Sequence, residues 1–201
     1  MDQIVLSSIS PKIKTAIICP PTIWGPGRGT GNRRSIQIYN LCAITLARGS
    51  GIKIPHPLAD KLFWQNIHLW DLTNVYLEVI TDAIKEFNGE KVRATWNEKG
   101  YYFAENGRFY WQEVAGWIAE EAARQGLVKS AELTEMGDKE KEEELLKVGV
   151  ALWSSEFDCR SVRARKLFGW KPEQGSLKEE VPAIVRAEGK MVGHLRDTKR
   201  N

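Results

Sequence analysis

Residues 20–34 hold the side chains and spacings best suited to ligand chemistry. Pro20-Pro21-Thr22-Ile23-Trp24-Gly25-Pro26-Gly27 follows the apolar run Lys14–Ile18 and Cys19. Two successive prolines fix two φ angles and remove two N–H donors. A stiff, flat backbone of this kind suits the face of a planar ring, and Thr22 adds a hydroxyl. A strand ending in such a turn presents it at the carboxyl edge of a sheet, where open α/β sheets bind ligands. The glycines at 25, 27, 29 and 31 fit neither Gly-x-Gly-x-x-Gly nor Gly-x-x-x-x-Gly-Lys-Ser/Thr, so they are no phosphate fingerprint. From the residues alone, a ligand wall and a structural loop both stay open. Cys19, Cys42 and Cys159 are three in number and contain no Cys-x-x-Cys pair. That odd, scattered count argues against a disulfide framework and a zinc site and suits a reducing compartment. His56, His68 and His194 lie far apart and suggest no metal cluster.

Strands and helices must position that turn. Lys14–Ile18 reads as a buried parallel strand, after residues 2–8 that suit either a helix end or a disordered start. Residues 20–34 read as one long loop. Ile36, Tyr39, Asn40, Ala43, Leu46 and Ala47 recur at helical spacing, and Gly49 and Gly51 end that helix. Residues 52–54 and 66–69 read as strands. A helix over 71–87 carries the stripe Leu72, Val75, Tyr76, Val79, Ala83 and Ile84, and Asn88-Gly89 stops it. Residues 100–105 suit a strand and Asn106-Gly107 a turn. The helix over 110–125 has Trp111, Val114, Ala115, Ile118 and Ala122 on one side. The charge run 138–147 reads as a solvated helix or mobile surface insertion. Residues 161–168 form a short basic helix closed by Gly169. Ser176-Leu177-Lys178-Glu179 looks like a capping box opening a last helix with Leu177, Val181, Ile184 and Val185 inward and Pro182 inside it. The order is α/β, and the first strand is expected to have no parallel neighbour within the chain.

The 201 residues, 42% hydrophobic and 27% charged with a formal net charge of +3, have an ordinary globular balance. Both signs are mixed, without the concentrated basic face of a nucleic-acid binder. The cluster Arg196, Lys199 and Arg200 is expected to be a solvated tail. The eight tryptophans form no periodic repeat. No run reaches the about 18 apolar residues of a membrane span, and no signal peptide is visible. A cytoplasmic protein is the expectation.

Ile18–Gly27 resembles the segment after the sixth strand of the extended short-chain dehydrogenase/reductases, in the NAD-dependent epimerase/dehydratase branch. Three more stretches match in order. Asn66-Ile67-His68-Leu69-Trp70-Asp71-Leu72 is similar to the family's Ile-His-Val-x-Asp-Leu junction. Tyr102-Phe103-Ala104 through Trp111-Gln112-Glu113-Val114-Ala115 resembles the following strand and helix. Arg163–Pro172, with Ser176–Glu180, resembles the C-terminal signature. Together they cover residues 14–188. The resemblance implies an α/β fold, the C-terminal part of an NAD(P)-binding Rossmann-type structure with its mostly helical substrate-binding lobe. Residues 1–50 would hold the last Rossmann strand, the cleft loop and the following helix. Residues 51–190 would hold the remaining strands and the lobe, and 191–201 a flexible tail.

The resemblance further implies that Pro20, Pro21 and Thr22 contact the nicotinamide end of NAD or NADP. Ile23, Trp24, Arg28, Arg33, Arg34 and His68 would line the substrate cleft, His68 and Asp71 mainly organising structure. Two positions depart from the pattern. Cys19 replaces the usual arginine before the proline, and Trp64-Gln65-Asn66 stands where sugar-nucleotide epimerases carry a diphosphate-holding arginine. Arg28, Arg33, Arg34, Arg160 and Arg163 are the substitutes available for phosphate contacts. The family's glycine-rich turn and catalytic Tyr-x-x-x-Lys are absent. Tyr39, Tyr76, Tyr101, Tyr102 and Tyr110 are followed four positions on by Ala43, Ile80, Glu105, Asn106 and Val114. A lone tyrosine is a poor base at neutral pH. The expectation is a truncated epimerase/dehydratase-like oxidoreductase, inactive alone, with no catalytic residue and no metal in the chain. The alternative is a non-catalytic binding module derived from that family. Its partners are expected to be a small-molecule substrate, a nucleotide sugar among the candidates, and a second copy in a homodimer, with neither nucleic acid nor membrane.

Overall fold

The computed structural model describes residues 2–137 and 144–198. In chain order the elements are α1 Asp2–Ser7, β1 Ile17–Cys19, β2 Thr22–Trp24, α2 Gln37–Arg48, β3 Gly51–Ile52, β4 Phe63–His68 and α3 Leu69–Phe87. A 3-10 turn at Asn97–Lys99 precedes β5 Tyr101–Phe103, β6 Arg108–Tyr110, α4 Trp111–Arg124 and β7 Leu133–Thr134. The helices α5 Glu144–Trp153, α6 Val162–Phe168 and α7 Leu177–Thr198 complete the chain. Strands pair as β1-β5, β2-β4-β6 and β3-β7. The fold is α/β, as expected. The charge run lies in part at 138–143, outside the described residues, and its end belongs to α5. Lys199 and Arg200 also lie outside them, while residues 191–198 are helical and continue α7.

The contacts divide the chain into two units, each built from three separate segments. The first comprises Met1–Ile23, Gln65–Gly107 and Asp158–Gln174. Its β1 pairs in parallel with β5, Ile17 opposite Tyr101 and Cys19 opposite Phe103. This corrects the expectation of an unpartnered first strand. Parallel strands need a long crossover, so the neighbour lies more than 80 residues away, in an aromatic run that alternates too weakly to declare its partner. Around this pair, Ile67, Val75, Tyr102, Ala164 and Phe168 form one apolar core. Tyr102 stacks on Phe168 with ring centroids 5.7 Å apart. Gly169 ends α6 at φ 67°, donating to the carbonyl of Arg165 at 3.0 Å. Only a residue without Cβ takes that left-handed conformation cheaply.

The second unit comprises Trp24–Trp64, Arg108–Phe157 and Gly175–Asn201. The helices α2, α4 and α7 pack on one another, and β3 pairs in parallel with β7, Gly51 opposite Leu133. Trp111, Val114, Ala115, Ile118 and Ala122 are fully buried, with Leu177, Val181, Ile184 and Val185 against them. Each large apolar side chain so buried contributes about 1.5–3 kcal/mol. The α7 start is a reciprocal capping box: Ser176 N–H donates to Glu179 Oε2 at 2.7 Å and Glu179 N–H to Ser176 Oγ at 3.3 Å. On α2 the buried face is Ile38, Tyr39, Leu41, Cys42, Thr45 and Leu46, so Tyr39 and Leu46 of the expected stripe are inside while Ile36 and Ala47 are exposed. No helix among the described residues is long and apolar enough to cross a membrane.

Candidate functional site

The Pro20–Thr22 turn begins where the β1 ladder stops. The carbonyl of Cys19 accepts from Ala104 N–H at 3.3 Å, and the next two residues have no N–H to donate. The expected long loop is interrupted at once by β2, because Thr22, Ile23 and Trp24 favour extended backbone. Thr22 is 1% exposed, and its hydroxyl has no hydrogen-bond partner among the described residues. A buried hydroxyl without a partner carries a desolvation cost of about 1–3 kcal/mol. Pro21 is buried, Pro20 half-buried, and Ile23 packs against the first unit's core.

His68 ends β4 and caps α3: its Nδ1 accepts from Trp70 N–H at 3.1 Å. It is 6% exposed. Burial pushes the imidazole pKa below its ordinary value, with Asp71 opposing. Asp71, fully buried, accepts from Glu173 N–H at 2.8 Å and Gln174 N–H at 3.3 Å, and its carbonyl accepts from Trp170 Nε1 at 3.1 Å. The histidine–aspartate junction and the Gly-Trp-Lys-Pro signature, about 100 residues apart, therefore meet in one hydrogen-bonded unit.

A second knot was not visible in the sequence. The Glu105 carboxylate accepts from Ser161 N–H at 3.2 Å and Gly107 N–H at 3.1 Å. Ser161 Oγ accepts from Glu105 N–H at 2.5 Å, and Arg165 stands 3.5 Å from the carboxylate. Glutamate and serine in loops carry no pattern of their own, so no signal in the chain marks this pair.

The cleft residues divide between the units. Pro20, Pro21, Thr22, Ile23 and His68 belong to the first, and Trp24, Arg28, Arg33 and Arg34 to the second. Trp24 is 2% exposed in the second core. Arg28 and Arg33 are exposed on a loop closed by Gly27 N–H donating to the Arg33 carbonyl at 3.1 Å. Arg34 is committed elsewhere. Its Nε and Nη2 donate to the two Glu188 oxygens at 2.7 and 3.0 Å, and Nη1 to Asn40 at 2.9 Å. Arg163 donates to the Lys99 carbonyl, and Arg160 lies 4.0 Å from Asp158 at the surface.

Four of the thiols and phenols, Cys42, Cys159, Tyr39 and Tyr101, are held protonated. Burial, reinforced by Glu188, pushes the Cys42 thiol up to about 12, and burial with Glu105 does the same for Cys159. Tyr39 is pushed up to about 12 by burial and then by Glu180 and Glu188. Tyr101, beside Cys19, is raised as well. The buried Tyr102 hydroxyl donates to the Thr95 carbonyl at 2.7 Å. Thiols and phenols held protonated cannot serve as bases near neutrality.

No protein-family model matches the sequence. The chain is 30% identical over 185 residues to the oxidase ucsJ of an Acremonium species, covering 90% of this chain and 52% of that one. It thus spans about half the length of the curated relative it matches. Among solved structures, the PbgP3 protein of Burkholderia pseudomallei is similar at 18% identity and a TM-score of 0.59, covering 98% of this chain and 51% of that one. RMD from Pseudomonas aeruginosa, solved with NADPH, is similar at 16% identity and a TM-score of 0.54, covering 94% and 54%. UDP-glucose 4-epimerase of Thermotoga maritima, solved with UDP-glucose, is similar at 13% identity and a TM-score of 0.51, covering 90% and 48%. With its four motif stretches in order and its parallel strand pairs flanked by helices, the chain has the extended short-chain dehydrogenase/reductase fold.

Proposed function

We propose that the chain forms the nicotinamide-facing wall of an NAD(P)-dependent, epimerase- or dehydrogenase-type oxidoreductase acting on a small molecule. The observation that carries this is Thr22: a buried hydroxyl without a protein partner among the described residues, directly after two prolines at the carboxyl end of β1. The nicotinamide nucleotide, when bound, takes or gives the hydride at a carbonyl or hydroxyl carbon. Pro20 and Pro21 offer a flat face lacking N–H groups, and Thr22 offers its hydroxyl to a carboxamide. His68 and Asp71 hold the β4–α3 junction in place. Arg28 and Arg33, exposed on the loop, are the arginines that would meet a phosphorylated substrate such as a nucleotide sugar.

No tyrosine here is followed by a lysine four positions on. The proton transfer at the substrate oxygen therefore belongs to a nucleotide-binding part with which this chain works, and the chain by itself is inactive. Fluorescence titration with NADH and NADPH tests the first half of this: saturation in the micromolar range by the chain alone would overturn the partial-site reading. A chimera carrying this chain in place of the matching segment of the Acremonium oxidase tests the second. Thr22→Val is expected to weaken its NADPH binding about tenfold, the worth of one hydrogen bond in a dry site. A chimera that folds and binds NADPH equally well with valine would leave the non-catalytic binding module as the better description.

A further inference from the structure

The first unit carries a cavity of about 330 Å³ before the amino end of β1, between residues 11–14, the C-terminal end of α3 and Trp96. Open α/β sheets take their ligands at the carboxyl end, so this cavity lies at the other end of the strand from Pro20–Thr22. Its volume is at the small end for a ligand site and suits a one- or two-ring molecule.

Backbone bonds fix its frame. Ser10 N–H donates to the Ile13 carbonyl at 3.2 Å and Ile13 N–H to the Ser10 carbonyl at 3.1 Å, which sets Pro11 and Lys12 in a tight turn. Asn97 N–H donates to the Thr15 carbonyl at 2.7 Å, and Thr15 N–H to Asn97 Oδ1 at 3.0 Å. Those two bonds tie the chain beside Lys14 to the chain beside Trp96. Trp96 Nε1 is buried, so the half-buried indole turns carbon rather than nitrogen to the cavity. Phe87, which also lines it, is 92% exposed and ends a run of exposed apolar residues, Ile80, Ile84 and Phe87, at helical spacing. An exposed apolar patch that leads into a cavity marks a binding surface.

The polar groups of the lining are Lys12, Lys14 and Glu86. Lys14 Nζ lies 2.6 Å from Glu86 Oε1, so that carboxylate is already answered. Lys12 is exposed, and no carboxylate pairs with it among the described residues. Two ring walls beside such an ammonium call for a flat ring that carries an anion. The ring packs against Trp96 and Phe87, and the anion meets Lys12 Nζ as a point charge.

We infer that this cavity binds a small aromatic carboxylate, its ring against Trp96 and Phe87 and its oxygens on Lys12. The inference does not depend on the nicotinamide reading.

Calorimetric titration of the whole chain tests it with 2-naphthoate, with naphthalene-2-carboxamide, its uncharged counterpart, and with 2-naphthylmethylammonium. The naphthoate is expected to saturate in the about millimolar range usual for such small probes, the amide severalfold more weakly and the ammonium weakest. Lys12→Met, at an exposed position, should bring the naphthoate down to the level of the amide and leave the amide unchanged. Phe87→Ser removes an exposed side chain and should weaken both about fivefold. Failure of the naphthoate to saturate, tighter binding of the ammonium, or indifference of the naphthoate to either substitution would overturn the proposal. Self-association of the chain that Phe87→Ser abolishes would overturn it as well, by giving the patch to a second copy. The titration contains no nicotinamide nucleotide, so a failure here leaves Pro20–Thr22 untouched, and failure of the NADPH chimera leaves the cavity untouched.

Discussion

In the first unit the buried carboxylates of Asp71, Asp82 and Glu105 accept from backbone N–H groups, while in the second those of Glu121 and Glu188 accept from arginine side chains. Asp82, on the inner face of α3, takes Arg93 N–H at 2.7 Å and Ala94 N–H at 2.8 Å. Asp71 takes the N–H groups of residues 173 and 174. These bonds tie irregular chain to a helix and leave no freedom to exchange partners. Glu188 instead holds Arg34 and Glu121 holds Arg124, side chain to side chain. The first device fixes a backbone path, as a ligand wall made of backbone requires. The second joins side chains around a helical core and is sensitive to salt.

The largest effect that would break this contrast is expected at Asp82. Asp82→Ala leaves two N–H groups, one of them buried, without an acceptor, at about 1–3 kcal/mol each, so a loss of about 2–5 kcal/mol in urea unfolding is expected. A loss below about 1 kcal/mol would show that water replaces the carboxylate and that the clamp is not structural. Burial raises the Asp82 pKa, but the hydrogen bonds from Ala94, Arg93 and the Arg93 guanidinium outweigh it, and the net direction is down. A lowered folded pKa gives stability that is complete above the unfolded value, about 4. It is lost as pH falls through the folded value. Asp82→Asn should flatten that acidic limb. His68 is also lowered, so its contribution is complete above about pH 6.5 and is lost as pH falls through its lower folded value. The two windows are separable in one pH series.

In the second unit, Glu188→Gln removes the charge opposite Arg34. Glu188 is nearly buried, yet the Arg34 side chain is 29% exposed. A cost of about 2 kcal/mol is expected, below the value for a fully buried pair because water reaches the guanidinium. Urea unfolding at low and high salt separates the devices. The difference between wild type and Glu188→Gln should shrink as salt rises, and the Asp82→Ala difference should shrink less, because two of the partners of Asp82 are backbone N–H groups and only one is the Arg93 guanidinium. Equal salt responses would erase the distinction between the units.

These devices explain how much could be read in advance. Where one face alone is apolar, periodicity locates the buried residues, as on α4 from Trp111 to Ala122 and on α7 at Leu177, Val181 and Ile184. On α3 it placed Tyr76 and Ile84 inside, where they are 44% and 58% exposed, and passed over Asp82, which is fully buried. A carboxylate at an inward position looks solvated until its backbone partners are known, and those arrive from residues 93–94. The Pro20–Thr22 turn was legible because proline acts locally. The hydrogen bond from Ile54 N–H to Gln112 Oε1 was not: an amide on a helix carries no pattern, and its partner lies 58 positions away. The parallel partner of β1 was missed for the same reason of distance.

The smallest effect belongs to the one polar device legible in full, the capping box of α7. Its members are three residues apart and exposed, unlike the long-range clamps of either unit. Ser176→Ala removes the acceptor for Glu179 N–H, and a cost of about 1 kcal/mol is expected. Because the bonds are local, the loss should appear as faster amide hydrogen exchange, about fivefold, over Leu177–Val181, with no change at Arg93 and Ala94. Exchange that quickens in both places would mean that the units unfold as one, and the contrast between their carboxylates would then describe chemistry without separate stability.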